Sequence, residues 1–583
     1  MNNTNQTVDA EVIAVYPNRV RISVDDLVSF RNAEESLRVG SYLKVSDNDN
    51  AALICIIESF SIEVTNGVTE EDSKRRYIID AYPLGTLSDG NFKRGGDELA
   101  IPPKKVVPAT KEEVGAIYEN AFVEGKRFNF ASLSRSRDIK VPVQGDRFFN
   151  KHIAIIGATG SGKSHSIASI LQKAISAREG DYQGLNNSHI ILFDIHSEYQ
   201  SAFPDARVLS VDDLVLPFWL LNEEEMEEMF LESGDHNNYN QESILRTAIT
   251  LCKKISNPEV GKIYFDSPLK YDVQEMVNCL INLSRETKDS DDPNHVTTSE
   301  GERTFDEEED KLKWYCEKLH KFQAPRRASK DIYGINRGSY ADGSIDKFVR
   351  RISAKIANPR LDFIFGPSAT KLEFEDVLEQ LMGYGATSSA NVTILDLSGI
   401  PFEVLSITVS LITRVLFDYS YFFRRSKGQC DTPLLLVYEE AHKYAPKSEL
   451  ARFKASLKAI ERVAKEGRKY GVSLLISSQR PSEISETIFA QCSNFLAMRL
   501  TNPDDQAYVR RLLPDTLGNL TSGLPALESG EALLIGDATI MPSVVYISRC
   551  DPEPSSSDIP YYRIWKEAWK EVDFKTITEE WKK

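Results

Sequence analysis

One octapeptide limits the folds open to this chain more than any other feature. Gly157-Ala158-Thr159-Gly160-Ser161-Gly162-Lys163-Ser164 is a full match to GxxxxGK[ST]. Small residues let the backbone curl until successive N–H groups point at phosphate oxygens, and a helix starting there adds the positive end of its dipole. The flanks agree: an apolar run, His152–Ile156, leads in and a helical pattern from Lys163 to Arg178 leads out. The motif predicts ATP with Mg2+ as cofactors. Lys163 is expected to contact the β- and γ-phosphates, and the Ser164 hydroxyl to ligate the metal. Gly157 to Ser164, with His165 directly after, form the expected nucleotide-binding set.

Further apolar runs read as buried strands: His189–Phe193, Asn391–Leu397, Leu434–Tyr438, Val472–Ser478, Phe495–Leu500, Ala532–Ile535 and Ser543–Ser548. Alternating with helical segments, they indicate a mainly parallel sheet covered on both faces. A phosphate loop needs an acid at the end of a neighbouring strand. Leu434–Tyr438 supplies Glu439, assigned to the metal shell, and Glu440, assigned to polarising the attacking water. The usual first acid is Asp, so Glu439 departs from the pattern; two carboxylates simply capping a following helix are the lesser alternative. Asp194-Ile-His196-Ser-Glu198-Tyr199 ends another strand, where open α/β sheets place their sites. Asp194 is a metal candidate there or, equally plainly, a helix cap. Gln479, closing a third strand, either senses the γ-phosphate and positions water or is an ordinary buried amide.

A helix from about Ser448 to Lys469 repeats apolar residues at Leu450, Phe453, Leu457, Ile460, Val463 and Ala464. Its basic end, with Lys465, Arg468 and Lys469, is either favourable dipole chemistry or an arginine finger for another subunit's phosphate.

The rest of the chain frames this core. Short β-branched runs from Val12 to about Pro103 read as a small barrel or sandwich. From Leu220 to about Leu361 the pattern is helical, with an acidic run, 286–310, expected as a solvated, mobile loop. Expected boundaries are an N-terminal β-barrel over 1–130, the core over 131–220 and 362–550, a helical insertion over 221–361, and a C-terminal arm over 551–583. Seven scattered cysteines, never in a CxxC pair, fit a reducing compartment and argue against structural zinc. The opening residues lack a secretory pattern and Asn391–Phe423 is broken by charges, so a cytoplasmic protein with no membrane span is expected. A net charge of −17 repels phosphate, so any DNA must meet a local basic lining such as a pore.

Taken together, GATGSGKS, the DIHSEY strand end, YEEAH, the AKEGRKYG–ISSQRP pair and the downstream MRLTNPDD resemble the HerA family of DNA translocases, in the FtsK–HerA branch of P-loop ATPases. The resemblance runs from about Val12 to the C-terminal arm. It implies an α/β fold: a RecA-like P-loop NTPase core with an N-terminal small β-barrel domain and a helical insertion. It further implies a homohexamer that hydrolyses ATP between subunits and threads double-stranded DNA through a central channel. By position it makes Arg468 the finger acting in trans and Lys151 a basic residue supporting the nucleotide in cis, where the family usually has Arg. A separate nuclease or anti-phage effector protein docking on the N-terminal barrel is the partner it suggests.

Competing classes fit less well. A DEAH-type helicase would bring its second motif within about a hundred residues of the phosphate loop, whereas Glu439 lies 276 positions after Lys163. Asp396-Leu-Ser-Gly399 has no NKxD partner for a GTPase, and LSGGQ is missing for an ABC-type ATPase. A conjugation or secretion ATPase of the same branch remains open. So does a scaffold that binds ATP, assembles and switches a partner without translocating DNA.

Overall fold

A computed structural model describes residues 10–16, 19–24, 38–46, 51–65, 74–88, 91–95, 105–231, 238–288, 292, 294–328, 334–385, 388–447, 454–512, 518–556 and 559–582. Two sheets organise them. The first contains β1 (Ala10–Tyr16), β2 (Arg19–Val24), β3 (Tyr42–Ser46), β4 (Ala51–Thr65), β5 (Lys74–Ser88), β6 (Asn91–Arg94) and β7 (Lys105–Pro108). It is antiparallel, in the order β1-β2-β5-β4-β3-β7, with β6 on β5. The long β4–β5 ladder slips register between Ile54 and Cys55 and again between Ile57 and Ser59. Such bulges bend and twist a strand, and the sheet curls around a core of its own made by Val20, Ile22, Leu43, Cys55, Ile57 and Val106. Successive residues of a strand face opposite ways, so Ile54 and Ile56 join the main core instead. Among the described residues the hydrogen-bonded ladder ends at β1 and β7 without joining them. The expected barrel is thus described as a curled sheet.

The second sheet begins with β8 (Arg127–Leu133), β9 (Lys140–Gln144), β10 (Ile153–Ile156), β11 (His189–Asp194) and β12 (Arg207–Leu209). An insertion follows, built on the helices Asn238–Ser256, Val273–Arg285, Glu308–Glu317 and Asp346–Ile356. Short strands β13 (Thr287–Lys288), β14 (His295–Thr298), β15 (Gly301–Thr304) and β16 (Asn336–Arg337) form two small ribbons within it. The sheet resumes with β17 (Val392–Asp396), β18 (Leu434–Tyr438), β19 (Val472–Ser478), β20 (Asn494–Ala497), β21 (Glu531–Gly536) and β22 (Ser543–Ile547). Its order is β12-β17-β11-β18-β19-β10-β20-β21-β22-β8-β9. Neighbours are parallel from β12 to β20 and antiparallel from there to β9. Every residue of β10, β18 and β19 is buried, as strands covered on both faces require.

Two expectations need correcting. The acidic run 286–310 is not simply a solvated loop: it carries β13 to β15, buries Val296, and includes Glu286, whose carboxylate pairs with buried Lys311 at 3.0 Å. Its charges survive because the deepest of them is partnered. The helix expected from Ser448 runs Ala455–Glu466 and tightens to a 3-10 turn at Gly467–Tyr470. Leu450 and Phe453 lie outside the described residues. No helix among the described residues is long and apolar enough to cross a membrane.

Candidate active site

The carboxyl ends of β10, β11, β18 and β19 meet at one edge of the sheet, where parallel strands place their chemistry. Beyond β10 the chain curls through Gly157–Gly162. Gly160 and Gly162 take φ +71° and +95°, a region open chiefly to glycine. A Cβ at Gly157 would stand 2.6 Å from Ser161 Oγ. The loop is pinned from β20, since Ala158 N–H donates to Arg499 O (2.8 Å) and the Arg499 guanidinium donates to Gly160 O (3.2 Å). The helix Lys163–Ser176 then starts at the loop's end. His165, in its first turn, has Nδ1 3.6 Å from Cys550 Sγ.

Lys163 is 8 % exposed, its Nζ 3.9 Å from Glu440 Oε1. Burial lowers the pKa of its ammonium against the pull of Glu440, Glu439 and Glu198. The Ser164 hydroxyl donates to Glu198 Oε2 at 3.0 Å. Glu439 is buried, and its Oε2 has no hydrogen-bond partner. Burial first, then the charges of Asp194, Glu198 and Glu440, push its carboxyl up to about 9. Burial likewise raises Glu198. Asp194, fully buried, accepts from the backbone N–H groups of His196 (3.1 Å) and Tyr199 (2.9 Å). It therefore caps the turn that brings Glu198 back to Ser164, while its charge still bears on Glu439.

Glu440 behaves differently. Burial would raise its carboxyl too, but His442, Lys163 and Gln479 outweigh it and the net shift is downward. Its Oε1 accepts from Gln479 Nε2 (2.8 Å); its Oε2 accepts from Gln479 N–H (3.3 Å) and lies 3.2 Å from His442 Nδ1. Gln479 Oε1 in turn accepts from the Thr159 hydroxyl. The two adjacent carboxyls are thus pushed opposite ways: Glu440 down by its partners, Glu439 up by burial and by its acidic neighbours Asp194, Glu198 and Glu440. Glu198, Glu439 and the Ser164 hydroxyl offer oxygen donors of the kind Mg2+ takes, with Asp194 behind them. The orphaned Glu439 Oε2 and the mutual repulsion of these acids are what a divalent cation would relieve.

Arg468 and Lys151 are elsewhere. Ile153 pairs with Leu475 and Ile156 with Ser478, so residues before Ile153 and before Val472 lie at the amino edge of the sheet. Lys151 is separated from the phosphate loop by the length of β10, and its ammonium pairs with Asp537 at 2.6 Å. The expected support of the nucleotide in cis by Lys151 is therefore corrected: the strand holds it on the far edge. Arg468, exposed in the 3-10 turn Gly467–Tyr470, lies on that same edge.

The family description "Helicase HerA, central domain" matches residues 128–416, the span from the β8 strand through the phosphate loop into the helix Phe402–Lys427. A "DNA double-strand break repair helicase HerA" of Sulfolobus acidocaldarius is 26% identical over 497 residues, covering 85% of this chain and 82% of that protein. A probable helicase of Methanocaldococcus jannaschii is 23% identical, covering 92% of this chain and 91% of its own. The chain belongs to the HerA family. It is a P-loop ATPase. Among solved structures, VirB4 of Thermoanaerobacter pseudethanolicus aligns with a TM-score of 0.45 at 13% identity, covering 76% of this chain and 99% of that one.

Three residues of this HerA-family site escape a motif reading. Glu198 stood in the DIHSEY strand end, but only the turn capped by Asp194 explains why it reaches Ser164. Arg499, in MRLTNPDD, touches the loop through β20, next to β10 in the sheet though more than three hundred residues away in sequence. His442, in YEEAH, orients Glu440. No spacing rule in the sequence marks any of the three.

Proposed function

We propose that this chain hydrolyses ATP to move along or unwind double-stranded DNA, working as a homohexameric ring whose sites are completed between neighbouring copies. The observation that carries the reading is Glu440: a buried carboxylate kept ionised beside Lys163 and Gln479, suited to take a proton from water. Lys163 and the backbone of Gly157–Ser164 hold the β- and γ-phosphates. Water attacks the γ-phosphorus, its bond to the ADP oxygen breaks, and the water proton passes to Glu440. Gln479 orients that water. Ser164, Glu198 and Glu439 would hold Mg2+, with Asp194 fixing their turn; the ion supplies positive charge against the phosphate oxygens. His165 and the loop residues Ala158, Thr159 and Ser161 complete the nucleotide cradle. Arg468, remote from its own loop, stabilises the transferring phosphoryl group of a neighbouring copy, as a finger in trans does.

DNA as substrate is supported by the helicase names of the relatives, which align over most of their length. The N-terminal sheet, with a core separate from the ATPase and none of the site's residues, is the surface on which a nuclease or defence effector would dock. The test is ATP hydrolysis with and without linear duplex DNA, with Lys163→Ala as the blank. Stimulation by DNA that the variant abolishes supports a motor. Hydrolysis indifferent to DNA would move the reading to an ATP-binding scaffold that switches a partner.

A further inference from the structure

Asp396-Leu-Ser-Gly399, which has no partner motif for a GTPase, closes β17. That strand is separated from β10 and the phosphate loop by β11, β18 and β19. Its link to the cradle runs through β11. Asp396 is the register partner of Asp194 in that parallel pair, and Leu397 N–H donates to Asp194 O at 2.8 Å. The two aspartates stand side by side where their strands end, and each holds the turn that carries Glu198.

Asp194 works on the backbone, accepting the N–H groups of His196 and Tyr199 on either side of Ser197 and Glu198. Asp396 works on the side chain between them. Ser197 Oγ stands 2.7 Å from both Asp396 Oδ1 and Oδ2, and 2.9 Å from Ser398 Oγ. Its one proton is donated to a carboxylate, which makes the bond charge-assisted. Asp396 is itself fixed, because Oδ1 also accepts Ser398 N–H at 3.0 Å. Ser197 needs such a hold. Its φ is +55°, a left-handed conformation that is costly for a residue with a side chain and persists only where its surroundings impose it. The next residue is Glu198, which accepts the Ser164 hydroxyl at 3.0 Å. A Ser197 relaxed to negative φ would send the chain off in another direction and turn Glu198 from Ser164. The Glu198 carbonyl is tied separately, accepting from Ser555 N–H at 2.8 Å, so losing the Ser197 tether should misplace the carboxylate rather than unfold the turn.

We propose that Asp396 is a positioning residue for the metal shell: it holds Ser197 in its left-handed conformation and through it sets Glu198 against Ser164. The inference rests on the reading of Glu198 as a holder of Mg2+. It goes further by placing part of the control of the ion on β17, beyond the strands that supply the cradle, and it gives the DLSG segment a task.

The experiment uses the full chain loaded with ADP and titrated with Mn2+ as a paramagnetic stand-in for Mg2+, the free ion being read by electron paramagnetic resonance. Binding of ADP in EDTA is the metal-free control. Asp396→Ala should weaken Mn2+ binding by about tenfold or more, the usual loss when the support of a metal ligand is removed, with ADP binding in EDTA unchanged. Asp396→Asn removes the same charge but keeps an acceptor, and should recover most of the loss. Ser197 is exposed, so its variants keep the test open if Asp396→Ala fails to fold. Ser197→Ala should match Asp396→Ala. Ser197→Gly lacks the same hydroxyl but takes positive φ without strain, and should bind Mn2+ more tightly than Ser197→Ala. Combining Ser197→Ala with Asp396→Ala should add nothing to either alone. Parent-like Mn2+ binding by Ser197→Ala, an asparagine variant that follows alanine, an equal loss of ADP in EDTA, or losses that add in the double variant would overturn the proposal. Glu198→Gln separates the two claims. If it binds Mn2+ as the parent does, the reading of Glu198 fails; if it binds weakly while the Ser197 and Asp396 variants do not, only the role of Asp396 fails.

Discussion

The two edges of the central sheet are made from the same strands and carry opposite equipment. At the carboxyl edge, Lys163, Ser164, Asp194, Glu198, Glu439, Glu440 and Gln479 converge from four strands, mostly buried, with Ser164 bonded to Glu198 and Gln479 to Glu440. At the amino edge, about 20 Å away for a strand and its flanks of this length, Lys151 pairs with Asp537, and exposed Arg468 projects from a short turn. The contrast is between side chains packed around the phosphate loop at one edge and cations turned outward at the other, Arg468 and Lys469 in the turn before β19 among them.

The largest effects should come from the carboxyl edge. Lys163→Ala removes the buried cation that faces the phosphates, and hydrolysis should fall to background with binding of a fluorescent ATP analogue weakened. Glu440→Gln keeps the size and loses the base; hydrolysis should fall by about a hundredfold to ten-thousandfold while the analogue still binds. An equal loss of binding in both variants would break the division of labour drawn here. Next is Arg468→Ala. An exposed residue costs within about 0.5 kcal/mol of stability when replaced, so Tm should hold, yet hydrolysis should drop by at least a hundredfold if the arginine serves a neighbour. Mixing Arg468→Ala with Lys163→Ala should restore part of the activity, because an intact cradle from one variant can meet an intact finger from the other. Absence of recovery in the mixture would return Arg468 to plain helix-end chemistry.

Much of the carboxyl edge was legible because local patterns specify it. Glycine spacing and the flanking strand and helix define Gly157–Ser164, and Glu439 and Glu440 follow a strand whose limits, Leu434–Tyr438, coincide with the apolar run. The amino edge was not legible. Lys151 lies six residues before Gly157 in sequence, and the family resemblance put it at the nucleotide, but those residues are spent crossing the sheet. Glu198 and Arg499 were hidden for the opposite reason: a capped turn and a strand neighbour far away in the chain bring them to the loop. The run 286–310 misled through composition, since charge density says nothing about whether a buried lysine waits for one of the acids.

The amino edge also makes a prediction about pH. His152 is 3 % exposed; its Nδ1 accepts from Leu474 N–H (3.0 Å), which leaves Nε2 to donate to Ala464 O (3.0 Å). Only the neutral ring fits both partners, and burial drives its pKa down to about 4. The unfolded chain, near 6.5, binds the proton first. Stability should therefore be full above pH 6.5 and fall as the pH drops from there to about 4, by up to ~3 kcal/mol. His152→Gln, with a donor and an acceptor but no proton to gain, should flatten that slope in denaturant titrations.

The smallest effect tests the correction at Lys151. A half-exposed ion pair with Asp537 is worth about 0–1 kcal/mol, so Lys151→Ala should lower Tm by no more than a degree or two for a chain of this size. The ion pair holds the Asp537 carboxyl below its usual range, and the variant should let it rise. If Lys151 supported its own nucleotide, the same variant would weaken binding of an ATP analogue to the isolated chain several-fold. With a strand's length between the ammonium and the loop, binding should stay within about twofold. A loss of hydrolysis with binding intact would instead put Lys151 beside Arg468, on the edge that serves a neighbour, and sharpen the contrast between the two edges.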